Sequence, residues 1–499
     1  MEIMKSESFM AYFEKISRSL LVILIGLMFL SVNYGKVAFA ASSTPSPKPT
    51  IISTLNGVNN KLFSPPSPTI ASNKTEQIEL VNGNYLIHTN AGTTTTGTIA
   101  SLINTPNTFT GDPQIIWDAG SNRFYYSFYE FINNNGVAQP GIAWGFSKGA
   151  NPSSATAFCH YFNSFDYGTT TYPDRQNLGD TADFLLISSN RYFLNNNLDG
   201  SDLAWISKPA AGTTCPTASS FKTGIKSLKN PDGVTSPWLP ASAKQVDSSS
   251  TGWVLGDPSY VSGSSITAYN VTKDSVTGNA VISAPSSIPI PAYSMTKYAP
   301  QAGTTTTGIA AKPLETQTYL TQVISSFDAR LGHNTLWTAQ TNSGGAGVKV
   351  DWYEINPVSL VLDQFGSVSD PNLYIFNPTI SSDRLVVGTT KKFGDSAILN
   401  VNTSSLNTYP AIQVVSILSG QPQSSLTMVK QSTGPNIDFT CSNTSSTDCR
   451  WGDYSGAVPN PAASTKGTHG QVIISNQWNV PNIDDNTTVW QTLFGTIGF

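Results

Sequence analysis

An all-β fold built from repeated four-stranded units is predicted for this 499-residue chain by its composition, by a recurring strand–turn–strand grammar, and by the spacing of that grammar. Charged residues make up 12% of the sequence, about half the share of roughly 25% in ordinary globular domains. Gly, Pro, Ser, Thr, Asn and aromatic residues take their place. Helix surfaces therefore lack the Lys, Glu and Arg they need, while turns and strands are well supplied. The net charge is −4 and no Lys/Arg cluster follows the first 40 residues, which argues against nucleic acid or an anionic membrane as a partner.

Taken in order, Lys5, Lys15 and Arg18 precede an apolar run over residues 20–30 that leads to Ala38-Phe39-Ala40. This basic, apolar, small-x-small order predicts a cleavable signal peptide over 1–40 and a secreted or cell-surface protein. The run is shorter than the roughly 20 residues that cross hydrocarbon, so membrane contact is expected only through an uncleaved signal. Ser, Pro and Thr dominate 41–50, and Ser64-Pro-Pro-Ser-Pro68 repeats the pattern. Together they predict a flexible leader over 41–75, followed by one β domain over 76–499.

Residues 114–131 read as strand, Gly-centred hairpin and strand, with a third strand at 141–147. The grammar returns at 183–193 with 202–207, at 258–261 with 265–269, at 335–339 with 348–353, at 377–381 with 384–388, and from Trp451 to Trp478. Asp112, Asp180, Asp257, Asp328, Asn377 and Asp453 mark steps of 68, 77, 71, 49 and 76 residues. Degenerate periodicity of this kind predicts a β-propeller of about six four-stranded blades, or five or seven if the short step reflects a misplaced landmark. Residues 78–89 are expected to donate a strand to the last blade and close the ring, since open β edges are a liability.

Export makes disulfides credible. Four cysteines allow three pairings, and their grouping favours Cys159 with Cys215 and Cys441 with Cys449. In the chain-entropy model these loops contribute roughly 4 and 2.5 kcal/mol. Metal binding by these cysteines would need Cys-x-x-Cys or a nearby His, and neither is present.

Several groups are candidates for chemistry. Asp112-Pro113, Asp257-Pro258 and Asp370-Pro371 are read as strand starts, and Asp112, Asp183, Asp257 and Asp453 as a carboxylate-lined channel mouth able to hold a cation, sugar hydroxyls or a raised-pKa acid. The alternative is turn chemistry. Arg450-Trp451-Gly452-Asp453-Tyr454 follows the expected Cys441–Cys449 loop, and a rigid Arg/Trp/Tyr set suits a sugar face or a peptide. Its alternative role is an anchor, with Trp451 between blades and Arg450 paired to an acid. Asn377 is a further candidate, as is His333 with Arg330 and Asp328 beside it. Asn195, Asn197 and Asp199 match the first half of a calcium loop, but Ile206 stands where a bidentate Glu is needed; an Asn-rich hairpin is the alternative reading, and no cofactor is required. Gly145-Phe-Ser147-Lys-Gly149 ends a strand with Asn151-Pro152 close behind, which does not suit a nucleophile elbow. Asn73, Asn270, Asn402, Asn443 and Asn486 are glycosylation acceptors by sequence.

The set Gly111-Asp-Pro-x-Ile-x-Trp-Asp118, Leu178-Gly-Asp-x-Ala-Asp183, Gly332-His-Asn-Thr-Leu-Trp-Thr-Ala339, Trp352-Tyr-Glu-Ile355, Phe376-Asn-Pro378 and Arg450-Trp-Gly-Asp-Tyr-Ser455 resembles exported bacterial β-propeller proteins of uncharacterised function. It is distantly similar to sialidase-like propellers. Sialidase activity is not implied, because no Ser-x-Asp-x-Gly-x-Thr-Trp box occurs and Leu385 stands where the nearest match, Ser381-Ser-Asp383, would need Gly. The expectation is a monomeric extracellular module that binds a glycan or protein. The alternative is a glycoside hydrolase working through two channel carboxylates.

Overall fold

The computed structural model describes residues 44–499 apart from 61, 104–108, 135, 297, 305–309, 442–446 and 482–487. The expected signal peptide and the Asn443 and Asn486 acceptors lie outside the described residues.

Among the described residues seven antiparallel blades follow one another along the chain, two of them joined into one nine-stranded sheet, with a two-stranded hairpin of Leu385–Val387 and Thr390–Lys392 beside blade 6. Blade 1 comprises Thr69–Ser72, Glu76–Val81, Asn84–Thr89 and Thr94–Thr98, and blade 2 comprises Phe109–Asp118, Arg123–Asn134, Val137–Ser147 and Phe158–Asn163. Blade 3 is Thr171–Asp180, Phe184–Phe193, Leu198–Ser207 and Thr223–Ser227. Blade 4 is Trp238–Gln245, Gly252–Asp257 and Ser262–Lys273, with its edge split between Ala280–Ile282 and Ser286–Ser294. Blade 5 is Leu320–Asp328, His333–Gly344, Gly347–Asn356 and Val361–Val368; blade 6 is Tyr374–Ser382, Ala397–Ser405, Thr408–Ile417 and Thr427–Gln431. Blade 7 takes Gly456–Pro459, Val472–Pro481 and Thr488–Gly498 from the end of the chain and Thr50–Asn59 from its beginning.

The first strand of each blade lies against the first strand of the next, and that of blade 7 lies against that of blade 1, closing the ring. Between blades 4 and 5 the contact becomes a parallel pairing of Ala243, Lys244 and Gln245 with Val323, Ile324 and Ser325. The face on which the first strands begin is termed the upper face here. Among the described residues the apolar side chains sort into seven cores, each straddling one blade-to-blade interface. Alternation explains this: each strand sends successive side chains to opposite faces of its sheet, and both faces meet a neighbouring blade. An eighth cluster, with Phe376, Trp451 and both Cys441 and Cys449, lies under the loops of the upper face.

Among the described residues the blades number seven, one of the alternatives that the landmark spacing leaves open. Two expectations are corrected. Residues 78–89 are the middle strands of blade 1 and give no strand to the last blade. The closing strand is Thr50–Asn59, which pairs Thr50 with Gly498 and Asn59 with Gln491. Ordered structure therefore begins well before residue 75: Ser46 is buried and donates to the Pro422 carbonyl at 2.8 Å. The two disulfides are Cys159–Cys215 and Cys441–Cys449, and the first ties the outer strand of blade 2 to a loop of blade 3.

Candidate active and binding site at the upper mouth

The chain enters the ring in a repeated way. Bulges interrupt the pairing of the first strand at Gly111/Gln114, Asp174/Asn177, Trp238/Ala241 and Phe376/Thr379. Within these bulges Asp112, Arg175, Leu239 and Asn377 have φ of 52°, 52°, 43° and 50°, and Ser67, at the entry to blade 1, has 45°. All but Arg175 precede a proline, which has no N–H to leave unpaired where a bulge interrupts the ladder. Left-handed non-glycine residues cost on the order of 1 kcal/mol or more each. Here they recur on the face that carries the charged cluster.

That cluster is centred on Asp453, just ahead of blade 7. Arg175 Nη2 lies 2.9 Å and Arg450 Nη2 lies 3.0 Å from its carboxylate. Ser67 Oγ donates to it at 3.3 Å, and the Tyr319 hydroxyl donates to its main-chain carbonyl. Arg450 also approaches Glu315 at 3.8 Å. Gln317 completes the circuit: its amide nitrogen donates to Glu315 Oε1 at 2.9 Å, and its oxygen accepts from Arg175. Three blade entries and the 295–319 connection thus converge on one carboxylate.

Asp112 and Asp174 form a second group beside it. The Arg175 main-chain N–H donates to Asp112 Oδ2 at 2.9 Å, and the two carboxyls are hydrogen bonded to each other. Burial pushes Asp112 well above its ordinary value, with the charges of Asp174 and Asp453 adding to the effect. Burial also raises Asp174, while Arg175 offsets part of the rise. The two carboxyls therefore titrate as a coupled pair displaced upward, chiefly by burial. Burial disfavours ionised Asp453 too, but Arg175 and Arg450 outweigh it and hold that carboxyl below its usual range. Glu315 is raised, by burial first and then by Asp453. One mouth thus contains a carboxyl held below its usual range by two guanidiniums and three acids displaced upward by burial. Its two guanidiniums are already engaged by carboxylates, which leaves little positive charge to grip an anion.

The cluster opens into a cleft of about 560 Å³ bounded by Trp238, Tyr260, Met295 and Tyr298, with Glu315 and Gln317 on the side toward Asp453. The Trp238 and Tyr260 rings are 5.3 Å apart, and Tyr260 and Tyr298 are 51% and 43% exposed. On the side of Asp112 and Asp174 a second aromatic series runs from blade 2 to blade 3 through Phe109, Tyr129, Phe131, Tyr172 and Tyr192, with centroids 5.7 to 6.1 Å apart.

Of the residues singled out by sequence, the structure brings Asp112, Arg450 and Asp453 together here. Tyr454 is buried at the edge of the site and donates to the Pro113 carbonyl at 3.0 Å. Asn377 lies at the blade 6 entry and donates to Asn402. Trp451 is 1% exposed and packs edge-on against Phe376 beneath the mouth, so it supports the loop and does not present a ring to a ligand. Asp257 ends the second strand of blade 4 opposite Trp238, on the upper face, but it is fully buried, raised well above its usual range by burial, and bonded to the Leu320 N–H. The other candidates lie elsewhere. Asp183 pairs with Lys273 at 2.7 Å near the opposite face. Arg330 bridges Asp328 and Glu354, and His333 meets Asp363 at 3.0 Å, all on the blade 5 hairpin of the lower face. Asp370 caps a turn through the N–H groups of Asn372 and Leu373, so of the three Asp-Pro pairs only Asp112-Pro113 lies at the entry of a first strand. In the proposed calcium loop, Asn195 accepts from the Asn197 N–H and Asp199 pairs with Arg191, committing two of the three ligands to protein donors.

Sequence reasoning missed Asp174, Arg175, Glu315, Gln317 and Trp238. The entry repeat could have found two of them, since Tyr172-Pro-Asp-Arg175 occupies in blade 3 the place of Gly111-Asp-Pro113 in blade 2. Glu315 and Gln317 sit on an irregular connection with no periodic signal.

No protein-family model matches the chain, and no curated protein matches it either. Among solved structures, it is similar to the subtype N11 neuraminidase-like protein of A/flat-faced bat/Peru/033/2010 (H18N11), at 8% identity and a TM-score of 0.36, covering 91% of this chain and 97% of that one. It is also similar to the Dos1 propeller (8%, 0.33, covering 90% and 95%). An exo-β-1,3-galactanase from Clostridium thermocellum matches at 11% and 0.31, covering 70% and 78%. The assignment as a propeller rests on the blade order and ring closure of this chain itself.

Proposed function

We propose that the protein is an exported propeller whose upper mouth binds a neutral oligosaccharide. The observation that carries this reading is the 560 Å³ cleft, in which exposed Tyr260 and Tyr298 and half-buried Trp238 stand beside Glu315 and Gln317. Its volume lies within the range of small-molecule sites, and apolar rings with a few convergent polar groups are the usual lining of such sites. Aromatic faces cover the apolar faces of sugar rings, while the carboxylate and amide take hydroxyls. Neutral ligands are favoured because Arg175 and Arg450 are engaged by Asp453 and Glu315. Two disulfides support an extracellular setting, and among the described residues no helix is long and apolar enough to cross a membrane.

The test is a glycan array probed with the mature domain, followed by calorimetry on hits. Neutral glycans should be retained, and Trp238→Ala should weaken binding at least tenfold, about 1.4 kcal/mol. Binding confined to acidic glycans, or unchanged by Trp238→Ala, overturns the reading.

A second reading, glycoside hydrolysis, is favoured by one observation: Asp112, Asp174 and Glu315 share a mouth with Asp453, and burial displaces the first three upward while two guanidiniums hold the last down, the pattern that separates an acid from its ionised partner. Release of reducing ends from a bound glycan, lost in Asp174→Asn and Glu315→Gln while binding persists, would establish it. Binding without turnover would leave the site a lectin-like one.

A further inference from the structure

The central channel contains a lysine that the upper site does not use. Lys244, on the first strand of blade 4, is 5% exposed. Its ammonium nitrogen lies 3.2 Å from Gln322 Oε1 on blade 5 and 3.5 Å from Thr69 Oγ1 on blade 1, so it reaches across the channel. Neither contact is charged, and among the described residues no carboxylate pairs with it. Elsewhere the fold compensates its buried cations: Lys208 is held between Asp118 and Asp180 at 2.7 and 2.8 Å, and Arg384 is held by Asp247 at 2.8 Å. Burial alone accordingly lowers the Lys244 amine to about 7, with no charged neighbour contributing.

Lys244 also lines a cavity of about 50 Å³ that is walled by Ile116, Val246, Ile324 and Val458. Since a water needs roughly 10–15 Å³ on this measure, the cavity admits a group of a few heavy atoms. Trp117, Ala119, Val386 and Pro461 are shared between this cavity and a shallower cleft of about 270 Å³ that carries Asn73, Asn122 and Asn151, which provides a path from the lower face. The cavity wall also includes Ser72, Gln245 and Arg384, and the amine itself meets Gln322 and Thr69 at its edge; a desolvated amine without a counter-ion beside a mostly apolar pocket is the arrangement that makes lysine a nucleophile toward carbonyls.

We propose that Lys244 is the reactive amine of a carbonyl-binding site entered from the lower face, forming an imine with a small aldehyde. In that step the nitrogen lone pair attacks the carbonyl carbon, the resulting carbinolamine loses its oxygen as water, and a C=N bond replaces C=O with no change in oxidation state. Of the charged groups lining the cavity, Arg384 is fixed to Asp247 and takes no part.

The experiment is reductive trapping of the intact mature protein with glycolaldehyde and cyanoborohydride, read by peptide mass spectrometry. Lys244 is expected to be labelled at least tenfold faster than any other lysine at pH 7.5. The rate at Lys244 should rise with a midpoint near pH 7, while surface lysines continue to rise toward pH 10. The pH profile uses wild-type protein and so holds even if Lys244→Met fails to fold; if that variant folds, the fast adduct should vanish. Labels spread over surface lysines with Lys244 unmodified, or a Lys244 rate that tracks theirs with pH, overturn the proposal. Glycan binding at the upper mouth is independent of either outcome.

Discussion

Asp453 shows at the scale of one residue why buried charges have to be judged by their partners. Taking a carboxylate out of water costs several kcal/mol, yet this one lies below its ordinary value because two guanidiniums and Ser67 Oγ converge on it. Arg175 is the more buried of the two cations, at 17% side-chain exposure against 44% for Arg450, and so is the less screened. Replacing Arg175 with Met should leave Asp453 undercompensated and cost about 3 kcal/mol, read by urea unfolding. The double variant Arg175→Met/Asp453→Asn should recover part of that loss, since the remaining site then buries no unpaired charge. Equal losses in the single and double variants would show that the pair does not act as a unit. The sequence offered Arg450 and Asp453 through their density beside a disulfide loop. It could not offer Arg175, whose nearest cues, Pro173 and the left-handed entry geometry, become visible only when blades are aligned on their bulges.

At the scale of elements, the strands that were legible are the ones buried on both faces. Arg123–Asn134 and Val137–Ser147 carry dense aromatic and β-branched residues because each side meets a core. Thr50–Asn59 is an outer strand, exposed along most of its length. It therefore shows no apolar alternation, and its Pro-rich surroundings read as a leader. Blade 1 was lost for a related reason: Ser67-Pro68, which opens it, falls within the same Pro-rich stretch. The exposed strand nonetheless has a structural task, since it covers the edge of Thr488–Gly498. A chain beginning at residue 60 should expose that edge as a template for strand addition. Such a truncation is expected to lower the melting temperature and to shift the protein to larger species than the full chain forms in size-exclusion chromatography. An unchanged elution volume and unchanged stability would show that the strand is dispensable.

At the scale of the whole molecule, ring closure depends on a carboxyl at the joint between the chain ends. Glu79, on blade 1, is fully buried against blade 7: Ser475 Oγ donates to it at 2.6 Å, Thr492 Oγ1 at 2.8 Å, and the Val58 N–H of the closing strand at 3.3 Å. Burial outweighs these three hydrogen bonds and raises Glu79 from 4.5 to about 7. The folded ring therefore binds this proton more tightly than the unfolded chain does, and the sign of the pH dependence follows. Stability is fully present below pH ~4.5 and falls as pH rises through ~7, by up to about 3 kcal/mol for this group. Asp180 and Asp383, both raised to about 6 by burial, act in the same direction, so the protein should melt at a lower temperature at pH 8 than at pH 5. Glu79→Gln isolates the share of the joint. Thr492 Oγ1 also lies 3.3 Å from the Val58 carbonyl, so it can turn its proton there and accept from the new amide. The variant should keep its stability at pH 5 and lose less of it by pH 8, flattening the melting-temperature curve. A wild-type curve that rises from pH 5 to 8, or a variant whose slope matches the wild type, would place the proton-linked weakness of the ring somewhere other than its closing seam.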